Sequence, residues 1–139
     1  MSLDFSWLKE IKLIKASKKS VKEIQYLLEV NQIKGFEIEL LGRSLNEIKN
    51  LDSLNKLKIA ILSDNSTQPI SNAIKVACIR ENYNPIIYEG PFGSLQQEIL
   101  NIESNLYKFK PDIIFIDICY RSITNMPQGI LTKEEVKNR

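Results

Sequence analysis

Three short apolar runs, Lys58 to Ser63, Pro85 to Glu89 and Ile113 to Ile118, constrain this chain more than any other feature. The spacing leaves room for a helix before each of the last two. Strands covered by helices on both faces need continuous apolar runs rather than alternating ones, and strands that alternate with helical segments belong to parallel α/β sheets. The runs therefore predict an α/β domain with a parallel sheet of about three strands. A sheet that small leaves an edge and a face without cover, which favours pairing with another chain, a homodimer included.

The turns between the runs support this reading. Ser66 or Thr67 can cap the helix after the first strand, Pro69 falls in its first turn, and Ile70, Ala73, Ile74 and Ala77 supply an apolar stripe. Asn82 to Pro85 ends that helix, because a residue before proline is pushed out of helical geometry. After the second strand comes Gly90-Pro91-Phe92-Gly93, and Ser94 with Gln97 can cap a further helix carrying Leu95, Ile99 and Leu100. Lys110-Pro111-Asp112 is a turn signal feeding the third strand.

Residues 1–56 read as a mostly helical appendage and 57–139 as the α/β domain. Trp7, Leu8, Ile11 and Ile14 share a helical face, and Ser20-Val21-Lys22-Glu23 has the spacing of a capping box. Gly35 reads as the stop of the helix that follows. Phe36, Ile38 and Leu40 alternate as in a strand, while Phe36, Leu40 and Leu41 also share a helical face, so both assignments stand. Ser44 to Glu47 offers another capping box before Ile48, Leu51 and Leu54. Lys12, Lys15, Lys19 and Lys22 recur at helical spacing without aromatic interleaving, the pattern of a solvated face. Thr132 to Glu135 would start a helix with only four residues left, so the α/β part is expected to be truncated.

Composition removes several kinds of chemistry. The 139 residues are 43% hydrophobic, enough for one core, and the net charge of +2 is too small to imply a nucleic-acid partner. There is no histidine, which removes the usual base of Ser-His and Cys-His hydrolases and the commonest nitrogen ligand of zinc. Cys78 and Cys119 lack metal-type spacing and read as buried thiols. No run reaches the eighteen or so apolar residues of a membrane span, and no leader pattern opens the chain. A cytoplasmic protein is the expectation.

In an open parallel sheet, ligands bind at the carboxyl ends of the strands. The candidates there are Asp64, Asn65, Ser66 and Thr67 after the first strand, Gly90 and Gly93 after the second, and Asp117 with Arg121 after the third. Ser66 beside a helix start could act as a nucleophile if Asp64 or Asp117 served as its base, and could equally be a helix cap. Asp64 with Asp117 could hold magnesium, or be ordinary turn residues. The two glycines serve a tight turn or let a ligand approach the backbone.

Ile61 to Thr67, Ile87 to Gly93, Gln97 to Leu100, Ser104 to Phe109 and Pro111-Asp112 together, in order and spacing, resemble the N-terminal region of FkbH-like proteins, also described as subfamily IIIC of HAD-like phosphatases. The likeness covers about residues 57 to 118. It implies a flavodoxin-like, SGNH-hydrolase-like three-layer sheet, joined in the parent to a HAD-like domain that uses a DxDxT aspartate pair and magnesium. Members are associated with forming glyceryl units on acyl carrier proteins in polyketide-type pathways. No DxDxT motif occurs in this chain, so magnesium and that chemistry are expected only of a HAD-like domain not present in it. In the SGNH alignment Asn65 stands at the nucleophile position with Ser66 one place late, Gly90 or Gly93 answers to the oxyanion-hole glycine, and the last-block Asp-x-x-His has no counterpart. The resemblance thus implies a non-catalytic domain contacting a HAD-like catalytic domain or an acyl carrier protein. A small esterase using Ser66 is the alternative.

Overall fold

The computed structural model describes residues 20–46, 48 and 51–119. Two helices lead in, α1 (Val21–Val30) and α2 (Gly35–Leu45), followed by β1 (Asn55–Ser63), α3 (Gln68–Arg80), β2 (Tyr83–Glu89), α4 (Leu95–Leu100), α5 (Asn105–Phe109) and β3 (Ile113–Asp117). The helix expected over Trp7 to Ile14 and the one after Thr132 lie outside the described residues. Among those described, no helix is long and apolar enough to cross a membrane.

The sheet is α/β and all parallel, in the order β2-β1-β3. β1 is central, so its Ile59, Ala60, Ile61 and Leu62 are all buried, as its unbroken apolar run requires. The chain leaves β1 through α3 to reach β2, then crosses back over β1 through α4 and α5 to reach β3. Right-handed crossovers in opposite directions put α3 on one face and α4 with α5 on the other. Ala60 and Leu62 accordingly pack with Leu106 of α5, Tyr88 and Leu95. Pro85 is tolerated in β2 because, among the described residues, that strand is an edge.

The larger core lies among the helices. Ile24 and Leu28 of α1, Leu41 and Leu45 of α2, Leu54, and Val76 and Ile79 of α3 form one cluster. Both lead-in helices start on a glutamate that reaches back to an orphan backbone N–H: Glu23 accepts from Ser20 at 2.9 Å and Glu37 from Lys34 at 2.8 Å.

Several sequence expectations are corrected. Gly35 opens α2 instead of closing α1, which ends at Val30. The segment from Phe36 to Leu41 is helical. Ser44 lies inside α2 and caps nothing. The buried side of α3 is Ser71, Asn72, Val76 and Ile79, rotated from the predicted Ile70, Ala73, Ile74 and Ala77. A close approach to α2 explains the rotation: a Cβ on Gly42 would stand 2.7 Å from the Cα of Asn72. Small and polar residues of α3 therefore meet the glycine of α2, a preference that apolar periodicity does not report.

Candidate functional site

β1 lies between β2 and β3 with all three strands parallel, and the carboxyl ends of such strands are where open α/β sheets take ligands. Register sets Ser63 opposite Asp117. The hydroxyl of Ser63, 4% exposed, donates to Asp117 Oδ2 at 2.9 Å, and the Ser63 oxygen accepts the Asn65 backbone N–H at 2.9 Å. The Asn65 side-chain Nδ2 donates to the same Asp117 oxygen at 3.4 Å, and the Asp64 N–H donates to the Asp117 carbonyl at 3.2 Å. Asp117, Ser63, Asp64 and Asn65 are thus one hydrogen-bonded knot that fixes the start of the loop.

Ser66 lies on the outer part of that loop. It is exposed, and among the described residues its hydroxyl makes no hydrogen bond to Asp64 or Asp117. Thr67, not Ser66, is the residue before α3. Its hydroxyl caps nothing and donates to the Glu89 carboxylate at the end of β2. The three strand ends are therefore tied by two polar links, Ser63 to Asp117 and Thr67 to Glu89.

The glycines have structural duties. Gly90 donates its N–H to the Ile61 carbonyl at 2.9 Å, and a Cβ there would stand 2.5 Å from Leu62 Cδ2. With its N–H engaged, Gly90 is not a free oxyanion donor. Gly93 has a φ of +69° and nothing within 4 Å of a Cβ, so it answers to turn geometry. Both the N–H and the hydroxyl of Ser94 then donate to the Pro91 carbonyl, at 3.1 and 2.6 Å. Arg121 lies outside the described residues. Among those described, no group of three or more His, Cys, Asp or Glu side chains is spaced to hold a metal ion.

Ser63 and Glu89 are the members of the site that residue-type reasoning passed over. Each is the polar residue ending an apolar strand, which was the available signal. An apolar groove of about 470 Å³ lies on the α4–α5 side, lined by Ile99, Leu106, Tyr107, Pro111, Ile114 and Ile116 among others.

No curated protein matches the chain. A solved structure, the N-terminal part of the protein BF1531 from Bacteroides fragilis, containing a phosphatase domain complexed with Mg, is similar at 29% identity and a TM-score of 0.55. That similarity covers 65% of this chain and 23% of the other, so this chain spans under a quarter of that relative. The family model of the FkbH N-terminal domain matches residues 58–134, more than half of the 139 residues. With the three-stranded parallel sheet and its lead-in helices, this match means that the chain belongs to the FkbH N-terminal domain family.

Proposed function

We propose that this chain is a non-catalytic FkbH-type unit that works by contact, with a HAD-like catalytic domain or an acyl carrier protein as its partner in a cytoplasmic, polyketide-type assembly. One observation carries the reading: the polar groups at the strand ends are used in holding the strands together. Asp117 is engaged by Ser63 and Asn65, Glu89 by Thr67, and the Gly90 N–H by Ile61, which leaves Ser66 exposed without a base. A serine in that state is a weak nucleophile. The relative's phosphatase domain and magnesium support the HAD-like partner.

The test is turnover of a p-nitrophenyl ester, and of a phosphate ester with magnesium present, beside the Ser66→Ala variant. The expected result is no enzymatic turnover above buffer from either protein. Ester hydrolysis that disappears in Ser66→Ala would overturn the reading in favour of an SGNH-like esterase.

A further inference from the structure

The loop that leaves β1 carries a reactive pair as well as a polar knot. Two described asparagines precede a small residue, Asn65 before Ser66 and Asn72 before Ala73. Asn72 is fully buried inside α3, where backbone N–H groups are held by the helix ladder. Asn65 and Ser66 lie between β1 and α3 and belong to neither. Among the described residues the Ser66 N–H donates no hydrogen bond. Among them, too, the Asn65 side-chain amide donates to Asp117 Oδ2 alone, at 3.4 Å, outside the usual N–H···O range of about 2.7–3.2 Å. Asparagine is thermolabile because the backbone nitrogen that follows it can attack its side-chain carbonyl, and a small following residue in irregular backbone lets the two meet.

We infer that Asn65 is a site of spontaneous deamidation, and that its conversion to an acid loosens the link between the ends of β1 and β3. The Ser66 backbone nitrogen gives its proton to solvent and bonds to Asn65 Cγ. The Cγ–Nδ2 bond breaks, and Nδ2 takes a proton from water and leaves as ammonia. Water then opens the five-membered succinimide. Cleavage between the Ser66 nitrogen and Cγ gives aspartate; cleavage between that nitrogen and the main-chain carbonyl carbon gives isoaspartate, with the backbone rerouted through Cγ. Water is consumed, ammonia is released, and nothing is oxidised or reduced. The knot gives the change its consequence. A carboxylate in place of the Asn65 amide has no N–H for Asp117 and sets a second negative charge beside the first. Isoaspartate lengthens the main chain by one carbon just after the Asn65 N–H that donates to Ser63 Oγ. Both products act at the point where Ser63 and Asp117 join β1 to β3.

The test is peptide mapping by mass spectrometry of the full chain kept for weeks at mildly alkaline pH, with the isoaspartate content of each fragment measured. Asn65 is expected to convert ahead of Asn72 and of the asparagines that precede larger residues. Ser66→Val, whose branched side chain crowds the attacking nitrogen, should slow the conversion several-fold. Asn65→Asp, which makes the aspartate product directly, should have a lower urea midpoint than the parent at neutral pH. In an Asp117→Ala background that difference should shrink, because the opposing charge is gone. Asn65 left intact, or converting no faster than the other asparagines, overturns the inference. So does an Asn65→Asp chain with the parent's urea midpoint. If Ser66→Val fails to fold, the order of conversion in the parent chain decides in its place.

Discussion

Asp117 accepts hydrogen bonds from a buried hydroxyl and from a side-chain amide, and its carbonyl accepts the Asp64 N–H. Truncating it leaves the Ser63 hydroxyl buried without an acceptor, which costs about 1–3 kcal/mol. Asp117→Ala is therefore expected to lower the urea midpoint by that equivalent. Ser63→Ala made with it should cost less than the sum of the two single changes, because they remove one shared bond. The sequence showed Asp117 as an acidic strand end but did not show its partner. Ser63 and Asp117 are 54 positions apart and meet only through sheet register. Ser66 was readable as a nucleophile or a helix cap, and the structure instead leaves it exposed on the loop, one place before the residue that precedes α3.

At the scale of elements, a close helix contact and a helix end each carry a test. Gly42→Ala would improve helix propensity by about 1 kcal/mol, yet the new Cβ falls against the backbone of Asn72, so α2 and α3 must part. Overpacking of that kind typically costs about 1–3 kcal/mol or more, and a net fall in thermal midpoint is expected. Lys110, closing α5, sits at a φ of 54°, the left-handed region where glycine carries no Cβ penalty. Lys110→Gly should consequently raise stability by up to about 1 kcal/mol in the same assay. The strands and α3 were legible because apolar runs and Pro69 act locally. The ambiguity between Phe36 and Leu41 was not resolvable from the chain, since a short segment satisfies both periods until a neighbour chooses one. That neighbour is the cluster of Leu28, Val76 and Ile79 with Leu41 and Leu45.

For the whole molecule, two partly buried acids set an alkaline limit on stability. Burial pushes the Cys78 thiol up, and burial followed by the negative charge of Glu98 pushes the Tyr88 hydroxyl up. The Tyr88 oxygen is covered and has no hydrogen-bond partner among the described residues. Both groups remain protonated in the folded chain at pH values where the unfolded chain has ionised. Their contribution is thus intact below the ordinary values, about 8.5 for cysteine and 10 for tyrosine, and is lost as pH rises through the higher folded values. Urea midpoints should hold level up to about pH 8 and then fall, and Cys78→Ser should remove the earlier part of that fall. The sequence by itself determined the parallel α/β class, the three strands and the lack of a histidine base, because unbroken apolar runs, helix starts and composition are properties of short stretches. Only the tertiary structure decided which face of α3 is buried and which serine meets Asp117. Those outcomes depend on register and on close approach between distant segments, and neither is encoded at any single position.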